Sequence, residues 1–161
     1  MNSIMKNLDL HAQGVWFPIL ISMFLLLYAL FMPKKEIGWR EFYVTFGIVG
    51  YLAWISDSIL GKMLDLVDFG HPKITGIGEF FSYSFIPSSM AVIYLNYLEK
   101  TNKWKLTIIF TIMSVLIEWG MRSVGYMKPH GWSFFISIPL YLVVFAFLLP
   151  LHRKWIKCKS E

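Results

Sequence analysis

Apolar runs of bilayer-spanning length, separated by short charged loops, limit what this chain can fold into. Residues 14–32, 80–98 and 132–151 contain no Asp, Glu, Lys or Arg; residues 42–60 contain only Asp57, and residues 106–121 only Glu118. Each run approaches the roughly 20 residues that cross a ~30 Å hydrocarbon core as a helix. Without water, backbone groups in that core must pair within the segment, which selects helices. With 57% of the 161 residues hydrophobic and only 16% charged, little is left to coat a soluble domain of this size. The sequence therefore predicts an all-α polytopic membrane protein. It is a single transmembrane domain over 1–161, a bundle of five transmembrane helices at about 14–32, 41–62, 79–98, 104–123 and 132–152, with no soluble domain. The first run is too long for a signal-peptide core, and "ALFMPKK" offers no small-x-small cleavage site, so it reads as a retained helix.

Loop charge sets the expected orientation. Lys34, Lys35 and Arg40 follow the first run, Lys100, Lys103 and Lys105 the third, and Arg153, Lys154, Lys157 and Lys159 the last. The alternate segments hold fewer: Lys6; Lys62 and Lys73; Arg122 and Lys128. Positive-inside logic gives an N-terminus outside and a C-terminus inside. Trp39, Trp104 and Trp155 read as inner interface anchors, and Trp16, Tyr126 and Trp132 as outer ones. The net charge of +5 then reflects topology rather than nucleic-acid binding. The single cysteine, Cys158, excludes an intramolecular disulfide and a cysteine-based zinc cluster.

The polar residues inside the runs fall on faces. At 100° per residue, Thr107, Thr111, Ser114, Glu118, Arg122 and Gly125 occupy about 60–80° of arc, a stripe that should face protein rather than lipid. Gly47, Gly50, Trp54, Asp57 and Gly61 form a small-residue seam on the second helix. Ser82, Ser89 and Asn96 recur every seven residues on the third, where Pro87 should bend the helix. Glu118 lies 14 residues past Trp104, roughly 21 Å along the helix, and Asp57 a similar distance past Glu41. Glu79 enters from the same outer side. The expected site is a buried polar cluster of Asp57, Glu79, Glu118 and Arg122 near the outer surface, with Thr107, Thr111, Ser114, Ser82, Ser89 and Asn96 as a secondary polar seam. An unpaired ion in the bilayer costs several kcal/mol, so Glu118 and Arg122 are expected to pair.

Other chemistry has less support. "EWGMR" shares an E-x-x-x-R spacing with intramembrane glutamate proteases of the CAAX-processing type. Those need a second acid beside the first, where this chain has Ile117, and histidines within the spans. His11, His71, His130 and His152 lie outside the runs or at their edges. Asp65, Asp68 and His71, spaced by three, are weak metal candidates that read more simply as solvated loop residues, so no metal and no cofactor is expected. "DFG" at 68–70 has none of the other kinase motifs around it.

"SDSILGKMLDLVDFG", "IPSSMAVIYLNYL", "SVLIEWGMRSVGYMKPHGW" and "SIPLY" occur in that order. Together they resemble an uncharacterised family of small multi-pass membrane proteins from endospore-forming Gram-positive bacteria, over about residues 50–145. Two positions depart from that pattern: Leu98 stands where a proline often follows Asn-Tyr, and Val67 where a tyrosine is common, both read as helix ends. The resemblance implies a bacterial plasma membrane and carries no activity. The expected role is a non-enzymatic accessory or interaction protein, its partners the lipid bilayer and another membrane protein or a second copy. The alternative is a small transporter or channel component that binds a cation, proton or small solute at the acidic cluster.

Overall fold

The computed structural model describes residues 7–71 and 74–157, and it is mostly helical. Helix α1 spans Trp16–Phe31 and α2 Trp39–Asp57, the latter running on through a π-helical turn, Ser58–Met63. Next come α3 (Ile77–Ser84), α4 (Ile86–Tyr97) and α5 (Lys103–Ser123). The last rod is α6 (Phe134–Val143), a π-helical segment Val144–Leu148, and α7 (Leu149–Lys157). Three helices are long and apolar enough to cross a membrane: Trp39–Met63, Lys103–Ser123 and Phe134–Lys157. Trp16–Phe31 is apolar but shorter. Cys158 and Lys159 lie outside the described residues, as do Lys6, Pro72 and Lys73.

The rods run alternately between two ends. At one end the segment before α1 meets the loops that follow α2 and α5: Ile77 N–H donates to the Leu8 carbonyl (3.0 Å) and Gly70 N–H to that of Tyr126 (2.9 Å). At the other end Arg153 donates to the Leu98 carbonyl and to Glu36, and Lys157 reaches Glu36 at 3.4 Å. Lys34 caps α1 there by donating to the Ala29 carbonyl at 2.7 Å, a favourable placement for a cation at a helix C-terminus. Partial burial lowers its pKa.

Helix α4 is the core. It packs against α1, α2, α5 and α7. Ile86 and the run from Ser88 to Asn96 are buried, so this helix is covered on every side. Its polar groups are largely consumed by neighbours. Ser88 donates to the Phe46 carbonyl (2.9 Å), and Gly50 makes room for it, since a Cβ there would sit 3.0 Å from the Ser88 Oγ. Tyr94 donates to the Phe145 carbonyl (2.6 Å) and meets Thr107 Oγ1 (3.1 Å). Phe145 lies in the π segment, where pairing is shifted by one residue just before Pro150, whose missing N–H and bulky ring disfavour a regular helix turn. Asn96 donates to the Pro33 carbonyl (2.9 Å) and accepts from Lys35 N–H (2.8 Å), tying down the loop after α1.

Several expectations are corrected. The span expected at 79–98 is two helices, interrupted at Phe85. Pro87 cannot donate to the Tyr83 carbonyl and disfavours helical backbone at the residue before it. The chain is not purely helical: Val67–Phe69 pairs antiparallel with Met127–Pro129, Val67 opposite Pro129 and Phe69 opposite Met127. Val67 thus opens a strand rather than ending a helix. Tyr126, read as an interface anchor, is buried and packs its hydroxyl on Gly78, where a Cβ would overlap it. Gly47 lies off the seam, with open space around it among the described residues.

Candidate functional site

Two polar groupings occupy the end that holds the strand pair. The first belongs to α5 and α6. Glu118 is 4% exposed and forms an ion pair with Arg122, one helical turn on. Its other oxygen accepts from Tyr141 Oη at 3.0 Å. The Arg122 guanidinium stacks over the Phe134 ring at 4.1 Å, a cation–π contact. Glu118 is thereby held on both oxygens, and Arg122 on a carboxylate and an aromatic face. Thr107, Thr111 and Ser114 are buried along the same arc of α5, while Ile109, Ile112, Leu116 and Trp119 are exposed. Ser114 donates to the Phe110 carbonyl (2.9 Å).

The second grouping belongs to α2, α3 and the loop after α5. Asp57 closes α2 and Glu79 opens α3; they are 8% and 6% exposed and lie close enough for their charges to act on one another. Tyr83, one turn beyond Glu79, lies beside Asp57. Tyr126 reaches in from the loop, near Ser82 and Glu79; burial first, and the Glu79 charge second, push its pKa above the ordinary phenol range. Asp57 Oδ2, Glu79 Oε2 and the Tyr83 hydroxyl are buried and make no hydrogen bond of good geometry among the described residues, although the Tyr83 hydroxyl is near enough to Asp57 for a loose one. The cation acting on Glu79 is Lys62, which gives its hydrogen bond to Thr75 Oγ1 (2.9 Å) instead. Asp9 and Asp68 add further negative charge nearby.

Local structure fits this pair closely. The π-helical turn after Asp57 swings Gly61 back over it, so that a Cβ at Gly61 would lie 2.9 Å from Asp57 Oδ1 and 3.2 Å from the Val67 carbonyl. Leu64 N–H donates to the Ile59 carbonyl (2.9 Å), the five-residue spacing of that turn. Ser82 donates to the Gly78 carbonyl at 2.8 Å.

The structure therefore brings Asp57 to Glu79, and Glu118 to Arg122, each pair with its own aromatic partners. Of the secondary seam, Thr107 and Asn96 are engaged as described above, and the Ser89 and Thr111 hydroxyls are buried without a partner among the described residues. The metal candidates are regrouped. Asp68 lies in a strand, and the histidine beside Asp65 and Asp68 is His130, not His71. His71 follows Gly70, which has a φ of +58°, and its N–H donates to Asp9 Oδ2 (3.0 Å). The sequence assigns no site role to Tyr83 or Tyr141, reads Tyr126 as an interface anchor and places His130 at the edge of a run. Only Tyr83 had a usable signal, four residues after Glu79 on the same helical face.

Comparison with known proteins finds no match: no family model, no curated protein and no solved structure matches this chain.

Proposed function

We propose that this chain is a five-span integral protein of a bacterial plasma membrane, N-terminus outside and C-terminus inside. In this reading it is a non-enzymatic accessory protein that receives a cationic group at Asp57 and Glu79. One observation carries the site: two buried acids close enough for their charges to act on one another, each with a buried oxygen that makes no hydrogen bond of good geometry among the described residues. A buried acid pair repels itself, and a cation relieves that cost. In the α5 grouping both Glu118 oxygens are held, by Arg122 and Tyr141, and the atom left without a partner among the described residues is a donor, Arg122 Nε, rather than a carboxylate oxygen. The orientation is supported by charge: Lys34, Lys35, Arg153 and Lys157 gather at the end opposite the acids. The bacterial membrane is supported by the family resemblance of residues 50–145.

The test is thermal unfolding of the detergent-purified protein in sodium, potassium and methylammonium chloride at matched ionic strength. A cation that binds the folded state at about 100 times its dissociation constant adds about 2.7 kcal/mol of stability. The expected result is stabilisation by one of these cations, lost in Asp57→Asn/Glu79→Gln. No cation-specific shift, or one that survives both substitutions, overturns the proposal. A second reading, a small transporter or channel component, draws support from the unpartnered Ser89 and Thr111 hydroxyls deeper in the core. Liposome flux abolished by Asp57→Asn would favour it.

A further inference from the structure

We infer that Asp65, Asp68 and His130 form a binding site for a divalent transition-metal ion of the zinc class, which clips together the two loops carrying the strand pair. One ligand atom from each lies within 4.8 Å of the other two. His130 Nδ1 is 3.7 Å from Asp68 Oδ2 and 4.0 Å from Asp65 Oδ1. These separations are too long for hydrogen bonds. They are close to the spacing of neighbours around one ion, since metal–ligand bonds of about 2.0–2.2 Å in a tetrahedral set put ligand atoms about 3.4 Å apart.

The backbone places these side chains. Asp68 lies opposite Lys128 in the antiparallel pair. His130 N–H donates to the Leu66 carbonyl at 2.9 Å, which carries the pairing one step past the strand. Two residues apart along a ribbon means the same face, so His130 and Asp68 are diagonal neighbours there. Asp65 joins them from the turn that leaves the π-helical segment. Its left-handed backbone (φ +52°) is one that an aspartate tolerates better than most residues. The Asp65 and His130 side chains are open to solvent, which gives an ion an entry path.

The donor set selects the metal. One imidazole and two carboxylates suit zinc, with a water in the fourth position, whereas calcium and magnesium prefer oxygen alone. The expected consequence is local: bound metal ties the segment after α2 to the segment after α5, beside the strand pair that already joins them. The inference does not depend on Asp57 and Glu79 binding anything.

The experiment uses the full chain in detergent, purified through a tag without histidines and stripped with EDTA. Zn²⁺ uptake is quantified by equilibrium dialysis, and Co²⁺ is added separately as a spectroscopic probe. One equivalent of Zn²⁺ per chain is expected, with Co²⁺ giving the intense visible bands of a four-coordinate site, and little competition from Mg²⁺ or Ca²⁺. Loss of an outer partner around a metal weakens binding about 10–100-fold, so removing a direct ligand should cost at least that. Asp65→Asn and His130→Gln, both on solvent-open side chains, should each weaken binding to that extent, while His71→Gln leaves it unchanged. Unfolding measured in EDTA should be the same for all of these variants. Failure to take up stoichiometric Zn²⁺, binding that survives His130→Gln, or binding lost in His71→Gln overturns the inference. So does a preference for Ca²⁺ or Mg²⁺, and Asp57→Asn should leave Zn²⁺ uptake intact.

Discussion

Glu118 and Arg122 offer the sharpest test of the energetics, because the structure sets unequal costs for removing each. Arg122→Met takes the cation from a carboxylate that is 4% exposed, leaving it only the Tyr141 hydrogen bond. Breaking a buried pair this way costs about 3–5 kcal/mol, since an uncompensated charge remains. Glu118→Gln leaves a guanidinium that is 17% exposed and still stacked on Phe134. Its cost should be smaller, about 1–3 kcal/mol, because Arg122 keeps a ring to lie on and some access to the surface. The double variant removes both charges at once. Neutral replacement of a whole buried pair is often nearly free, so it should lose no more than about 1 kcal/mol. The coupling energy is then several kcal/mol, far outside the error of additive sites. Reversible unfolding in mixed SDS and dodecylmaltoside micelles measures all four proteins under one condition. A double variant whose loss equals the sum of the singles would refute the argument, and so would Glu118→Gln costing more than Arg122→Met.

Two further outcomes follow from local geometry and from charge. Gly61→Ala should lose about 1–3 kcal/mol by pressing a methyl into Asp57 and the Val67 carbonyl; Gly47→Ala, in open space, should be neutral or gain up to about 1 kcal/mol from helix propensity, both read in the same micelle unfolding assay. Cys158 is the sole cysteine, so a membrane-impermeant maleimide should label it only after cells are permeabilised if the C-terminus is inside, and labelling of intact cells would reverse the proposed orientation.

What sequence could show depends on whether a contact is local. The polar arc of α5 repeats every three to four residues, and Thr107, Thr111, Ser114 and Glu118 are buried together while Ile112 and Leu116 are exposed. That pattern needs only the helical period. The Glu118–Arg122 pair is likewise one turn of one helix. Helix α4 gives no such signal, because a helix covered on all sides has no polar face to mark its orientation. Its central position shows only in small and hydrogen-bonding residues such as Ser88, Ser89 and Ala91, which permit close approach. The strand pair could not be read at all. Two three-residue segments about 60 positions apart carry no alternation that distinguishes them from loop.

The metal candidates show how that limit works. Spacing by three pointed from Asp68 to His71, a rule that holds only while the chain stays helical. Asp65 and Gly70 both take left-handed backbone and Asp68 is extended, so the period fails on either side of it. A strand places neighbours through its partner, and the partner supplies His130. The same reasoning separates the four residues expected to converge. Arg122 has an acid four residues before it on its own helix, and that local pairing needs no other segment to form. With Arg122 held by Glu118, the cation acting on Glu79 among the described residues is Lys62, and its hydrogen bond goes to Thr75. In the proposed reading, a ligand at Asp57 and Glu79 therefore brings positive charge of its own, while Arg122 stays committed to Glu118.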